Sequence, residues 1–197
     1  MSFDRVAHIY DGLARLVFGK SWQKVQNSPF HYIQESDQNI LIAGGGSGKL
    51  LSGLDDKKIT YIELSSEMIK KAKSIQTTSI VNFIEADFLN WESNERFDVI
   101  IFPFFLDCFL ESDLKKVLQK TTSMVGRNGK LIVTDFQKAS PLKYWLVRLM
   151  YGFFRFTTGL KVNRLLDLRT QLKTVGFKEQ ELKDFYGGWI FCSEYKI

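Results

Sequence analysis

The chain has 197 residues, 45% hydrophobic and 25% charged, which suits one single-core α/β domain and is too short for two ample ones. Its net charge of +5 is spread along the chain without a block of like charge, and no nucleic-acid module is appended, so nucleic acid is not an expected partner. No basic segment followed by an apolar core opens the sequence and no run of about 18 uncharged apolar residues occurs, so neither a signal peptide nor a spanning helix is expected and a cytoplasmic protein follows.

In chain order, residues 3–35 read as helical, with Phe3, Val6, Ile9 and Tyr10 and then Leu13, Leu16 and Val17 at helix spacing. Trp22 and Val25 begin another amphipathic turn that ends near Ser28-Pro29. A first strand runs from Ile40 to Ala43. The run Gly44-Gly45-Gly46-Ser47-Gly48 follows, and the apolar periodicity then resumes as at the start of a helix. Lys57 to Glu63 is a second strand. Ser65-Ser66-Glu67 looks like a helix N-cap, continued by Met68, Ile69 and Ala72. Ile80 to Glu85 is a third strand, and Phe97 to Phe102 a fourth, apolar enough to be covered on both faces. Ser112 is placed to cap a helix reaching Met124. Gly126 to Gly129 is a turn, and Lys130 to Phe136 a fifth strand. Residues 141–157 read as an aromatic helix and Leu165 to Thr174 as another, stopped by Gly176. Lys178 to Phe185 and Trp189 to Tyr195 close the chain as a hairpin turning at Gly187-Gly188. Five alternating strand–helix units and a hairpin predict a doubly wound, mostly parallel, helix-covered sheet in a single domain spanning 1–197.

Chemistry concentrates at the glycine run. Glycines at a strand-to-helix turn permit positive φ and close approach of backbone to a ligand, and a following helix N-terminus favours negative or electron-rich groups. Three patterns compete. The dinucleotide fingerprint G-x-G-x-x-G fails, because its last position is Lys49 or Leu51. The phosphate loop fails at Ala43, which replaces its first glycine, and at Leu50, which replaces the magnesium-binding hydroxyl. The pattern G-x-G-x-G after a strand is met by Gly44, Gly46 and Gly48. Here the chain resembles class I S-adenosylmethionine-dependent methyltransferases.

That resemblance implies a Rossmann-like seven-stranded sheet of order 3-2-1-4-5-7-6 and S-adenosylmethionine as cofactor. Glu63 ends the second strand 19 residues after Gly44, where the family binds the cofactor ribose. Asp87 matches its acid near the adenine amino group, with Phe88 beside the ring. Ala43, Gly44, Gly45, Gly46, Gly48, Leu64, Met68, Phe102 and Pro103 complete the implied cofactor set. Phe104 and Asp107, after the fourth strand, face the mouth where ligands of such sheets bind. Asp107 is the one candidate for a base, and capping a helix is its other reading. One position departs: Ile42 stands where the family usually carries an acid that helps hold the methionine ammonium. Backbone carbonyls near Gly44 or another acid then take that role, or the chain is a cofactor-binding partner without catalysis.

The opening Phe3 to Asp11 resembles the ubiquinone/menaquinone-biosynthesis methyltransferase group. There the tyrosine matching Tyr10 closes over cofactor and substrate, which makes residues 1–36 a helical lid. An aromatic insertion over 141–160, with Trp145 near its centre, resembles the family's substrate caps. Its surface must be buried in the core, a lipophilic pocket, a homodimer partner or a membrane interface; Lys143, Arg148 and Arg155 beside aromatics suit an anionic lipid surface. Transfer of a methyl group to a small lipophilic acceptor is the leading expectation, with an RNA or protein methyltransferase as the other enzyme reading. Cys108 and Cys192 lie in apolar stretches and are expected as free thiols. With His8 and His31 the only histidines, neither a metal site nor a serine triad has support.

Overall fold

The computed structural model describes residues 18–137, 162 and 165–197. Residues 1–17, with Tyr10, and the aromatic segment 141–160, with Trp145, lie outside the described residues. Seven strands form one sheet: β1 (Asn39–Ala43), β2 (Lys58–Glu63), β3 (Ile80–Glu85), β4 (Phe97–Pro103), β5 (Val125–Phe136), β6 (Lys178–Phe185) and β7 (Ile190–Lys196). Their order is β3-β2-β1-β4-β5-β7-β6. The first five run parallel, while β7 is antiparallel to both β5 and β6. This is the doubly wound, mostly parallel sheet with a closing antiparallel hairpin that the sequence predicts. Among the described residues no helix is long and apolar enough to cross a membrane.

Alternation along the central strands builds a core on each face. From β1, Leu41 and Ala43 join Ile100, Phe102, Leu131 and Val133 on one side, under α3 (Glu111–Met124) and α4 (Leu168–Thr174). Ile40 and Ile42 join Ile59, Tyr61, Ile101 and Ile132 on the other, under Tyr32, Leu50, Leu51 and Leu54. Strands covered on both faces read as continuous apolar runs, which is why β1 and β4 are legible. Lys130 enters the buried end of β5 as an ion pair with Asp37 at 2.8 Å.

Several elements depart from expectation. After the glycines there is no α-helix but a five-residue 3₁₀ turn, Lys49–Gly53. Gly53 abuts the Phe30 ring, where a Cβ would lie 2.5 Å from Cζ, and Leu54 is already extended. The β3-to-β4 connection also lacks an α-helix, so the strand–helix alternation is incomplete. Ser65 does cap α2 (Ser66–Lys73), accepting a hydrogen bond from the Met68 N–H at 3.2 Å. Ser112 does not cap α3, which starts one residue earlier after Leu110, with Glu111 and Asp113 in its first turn complementing the helix dipole. Residues 126–129 are absorbed into β5 as an irregularity whose pairing jumps between Phe97 and Val99. Gly129 lies so close to β4 that a Cβ would meet the Phe97 carbonyl at 2.6 Å. The described part of the N-terminal region is helical only in short turns, including α1 (Trp22–Gln26).

Candidate cofactor and acceptor site

The strand order reverses between β1 and β4, and a crevice forms there beyond the carboxyl ends of the strands, where open α/β sheets bind ligands. It is a cavity of about 420 Å³, within the range of small-ligand sites. One wall is the glycine loop, Gly44 to Ser47, with Glu63, Leu64 and Met68 beside it. Asp87 and Phe88 form the next stretch. Pro103 to Phe105 and Cys108 to Leu110 follow, and Trp22, Val25 and Pro29 close the side nearest the chain start.

The loop's backbone dictates its residues. Gly44 has φ +70°, and a Cβ on it would lie 2.3 Å from the Phe105 ring. At Gly45 a Cβ would lie 2.3 Å from the Tyr61 ring. Tyr61 in turn donates from its hydroxyl to the Gly46 carbonyl at 2.9 Å, fixing the loop to β2. Burial pushes this phenol well up, with the charge of Glu63 adding to it, so it remains a donor. Glu63 is only 8% exposed, and its two oxygens accept from the N–H of Gly46 at 3.0 Å and of Ser65 at 2.9 Å. The loop thus presents backbone edges and one carboxylate to the cavity, a donor and acceptor set that fits the ribose and methionine parts of a nucleoside cofactor.

Asp87 lines the cavity while its Oδ1 accepts from the Leu89 N–H at 2.9 Å, an arrangement that fixes the acid's direction. The same loop is tied down by Lys120 of α3, which donates to the carbonyls of Phe88 (2.6 Å), Leu89 and Trp91. Four other predicted positions do not line the cavity. Ala43 and Phe102 are fully buried behind it, Gly48 packs on Ala72, and Asp107 sits in the 3₁₀ turn Leu106–Cys108 with 9% exposure. Ile42 is fully buried on the opposite face with Leu50 and Leu51, so this position is part of the core and not of the wall.

Asp135, at the end of β5, holds that 3₁₀ turn. Its Oδ2 accepts from the N–H of Leu106 (3.0 Å) and Asp107 (3.2 Å), and its Oδ1 from its neighbour Phe136 (2.8 Å). Burial pushes its carboxyl well up and Asp107 adds to this, against the lowering effect of the three N–H groups. Burial, then Asp107 and Asp135, also push the Cys108 thiol well up, so the thiol in the wall stays protonated. Both cysteines are free, as expected.

The far wall is aromatic. Phe104 has φ +53°, a conformation bulky residues adopt only under strain, and its N–H donates to the Thr134 carbonyl at 2.7 Å. Its ring meets Trp22 at 4.9 Å and Phe136 at 5.1 Å between centroids. Trp22 stacks on Phe18 at 4.5 Å and is 4% exposed. Trp22, Tyr61, Phe105 and Asp135 are absent from the sequence-predicted site. Tyr61 was findable, since it shares strand parity with Glu63; the other three are assembled only by folding. A second cavity of about 650 Å³ lies away from the glycine loop, between α4 and the closing hairpin, beside the Arg169–Glu179 ion pair.

Residues 21–182 match the family described as a methyltransferase domain. No curated protein matches the chain. Among solved structures it is similar to one described as a DhpI–SAM–HEP complex (16% identity, 98% of this chain and 93% of that one, TM-score 0.67). It is also similar to the N-methyltransferase NodS from Bradyrhizobium japonicum WM9 with S-adenosyl-L-homocysteine (15%, 88% and 83%, TM-score 0.66). A third is the magnesium protoporphyrin IX methyltransferase ChlM from Synechocystis PCC 6803 with SAH (17%, 88% and 81%, TM-score 0.61). At these identities the likeness is one of fold.

Proposed function

The chain belongs to the methyltransferase domain family, and from that premise we propose that it transfers a methyl group from S-adenosylmethionine to a small lipophilic acceptor, quinone-, phenol- or lipid-like, at carbon or oxygen. The observation that carries this reading is one cavity with two unlike walls, the glycine loop with Glu63 and Asp87 on one side and the Trp22–Phe104 aromatic face on the other. When bound, the cofactor supplies a methyl group that its sulfonium already makes electrophilic. Glu63 would hold the ribose hydroxyls and Asp87 the adenine amino group, with Phe88 and Met68 lining the same cavity beside them. Backbone of Gly44 and Gly45 takes the methionine end, in place of the acid that Ile42 displaces. Pro103 and Phe104 turn the acceptor toward the loop, Tyr10 and Trp145 are proposed to complete its surroundings, and Asp107 is held behind the wall by Asp135. Most of the protein's work is alignment and exclusion of water.

Among the described residues the carboxylates of the wall are engaged, Glu63 by the Gly46 and Ser65 N–H groups, Asp87 by the Leu89 N–H and Asp113 by Lys116. The wall's thiol is kept protonated, and His31, the one histidine among the described residues, sits half-exposed against Glu181 away from the cavity. An acceptor that brings its own acidity, such as an enolate-like carbon or a phenol, fits this environment. The aliphatic side chain of Ile42, where the family usually carries an acid, is the feature behind a second reading, a cofactor-binding partner without catalysis. Cytoplasmic location, peripheral membrane contact and homodimerisation through residues 141–156 belong to the proposal as well; liposome flotation of Trp145→Asp and sedimentation test the last two.

Calorimetric titration with S-adenosylmethionine tests the core of the reading. Micromolar binding is expected, weakened roughly 30-fold or more in Glu63→Ala and in Asp87→Ala, because hydrogen bonds to a carboxylate contribute about 2 kcal/mol or more. Absence of binding at millimolar cofactor overturns it, and tight binding without turnover of any quinone, phenol or lipid supports the non-catalytic reading.

A further inference from the structure

We infer that Lys120, a residue of α3 that stands outside the cavity, is the positioning residue for base recognition: by fixing the turn that carries Asp87, it sets a preference for a purine bearing an exocyclic amino group. The inference deepens the methyltransferase reading and rests on it for the place of the adenine.

Three observations on one turn support it. First, Asp87 is aimed by the turn that follows it. Its Oδ1 accepts from the Leu89 N–H at 2.9 Å and its Oδ2 from the Asn90 side-chain amide at 3.3 Å, while its carbonyl accepts from the N–H groups of Asn90 and Trp91, each at 3.0 Å. The direction of the carboxylate is therefore the direction of the turn. Second, Lys120 gathers carbonyls from that same turn: its Nζ donates to Phe88 at 2.6 Å, to Leu89 at 3.2 Å and to Trp91. An ammonium has three N–H donors, so the three carbonyls use its full capacity. Third, the same Nζ lies 4.9 Å from the centroid of the Phe88 ring, which is 3% exposed and packs on Phe102 and Phe105 at 5.6 Å each. Burial lowers the pKa of Lys120, and the charges of Glu92 and then Asp87 work against that. Docking of α3 does not require this arrangement, because Leu114, Val117, Leu118 and Met124 already bury its apolar face in the core. What the turn carries to the cavity is Asp87, Phe88 and Leu89. A base that offers an amino group to Asp87 is bound best while the turn is held; a base without that group gains nothing from the hold.

The test uses S-adenosylhomocysteine and its analogue with unsubstituted purine as the base, which differ in one amino group, titrated calorimetrically into the full chain and into Lys120→Met. The wild type should favour the adenine ligand by about thirtyfold, as a hydrogen bond to a charged acceptor provides. In Lys120→Met the adenine ligand should bind about tenfold more weakly and the purine ligand should stay within about threefold, so that most of the preference is lost. In an Asp87→Ala background, Lys120→Met should leave the ratio of the two affinities unmoved. Equal weakening of both ligands would show a role in folding alone and overturn the inference. If Lys120→Met fails to fold, Lys120→Gln takes its place with the same outcomes; it suits a half-buried site, but it is one bond shorter and offers fewer donors. A wild-type preference that survives unchanged in the variant removes Lys120 from base recognition and leaves the methyltransferase reading in place. A wild type that binds both ligands alike removes Asp87 as the base-reading acid and the inference with it, and one that binds neither removes the methyltransferase reading itself.

Discussion

The two walls of the cavity are built by different means. The glycine-loop wall is mostly backbone from one stretch of chain, and its neighbours Tyr61 and Glu63 come from the adjacent parallel strand. The opposite wall includes the side chains of Trp22 and Phe104, from two separate elements, which pack with Phe18, Phe136 and Trp189 in one aromatic cluster. A cofactor shared by many enzymes can be held by a contiguous motif, because backbone donors and one carboxylate suffice. The aromatic wall, by contrast, is a surface that no single segment specifies.

The comparison makes the walls separable by mutation. Asp135→Ala should have the largest effect, about 3 kcal/mol of stability lost in urea unfolding, because three backbone N–H groups lose their acceptor in the interior. Since the turn it anchors carries part of the acceptor side, cofactor affinity in the folded fraction should change less than stability; a loss of more than tenfold would show that the walls are not independent. Gly45→Ala should follow, at roughly 2 kcal/mol, because its Cβ overlaps a Tyr61 ring that is hydrogen-bonded to the loop and cannot yield. Here the damage should fall on cofactor binding, and unchanged cofactor affinity by calorimetry would contradict a cradle shaped by Tyr61.

Phe104→Gly is expected to leave stability within about 1 kcal/mol, since relief of the left-handed backbone offsets lost ring contacts. Cofactor affinity should stay within twofold while binding of aromatic ligands is lost; a drop in cofactor affinity would merge the two walls into one. The smallest effect is one of pH. Asp135 keeps its proton to higher pH in the folded chain than in the unfolded one, where a carboxyl titrates near about 3.9. Its contribution to stability is therefore full below that value and falls as pH rises toward its raised folded value. Between pH 5 and pH 8 the wild type should lose more stability than Asp135→Asn, which cannot titrate; parallel losses would remove Asp135 as the cause.

Legibility followed the same division. The strands β1 and β4 are apolar on both faces, so their buried central place is written in composition, and the Ser65 cap and the Gly187-Gly188 turn are local chemistry. The segment after Gly48 departs from the expected helix because the apolar spacing of Leu50, Leu51 and Leu54 serves a 3₁₀ turn and its extended exit as well as a helix, and the ring of Phe30 packs against Gly53. Ser112 was a plausible cap by type, but the chain already enters α3 at Glu111. Asp107 looked like a wall residue from its place after β4. Asp135 instead draws the Leu106 and Asp107 N–H groups back onto β5, which leaves Cys108 in the wall and Asp107 behind it.

By itself, the amino-acid order determined the sheet's strands, the glycine cradle and the acids at the ends of β2 and β3, because alternation, positive φ and strand-end position are properties of short segments. Only the tertiary structure decided that Ile42 belongs to the core, that Tyr61 pins the loop, and that Trp22 meets Phe104 with its indole N–H unmatched among the described residues. Those facts depend on which side chains meet across elements far apart in sequence, and packing, unlike periodicity, exists only once the chain has closed on itself.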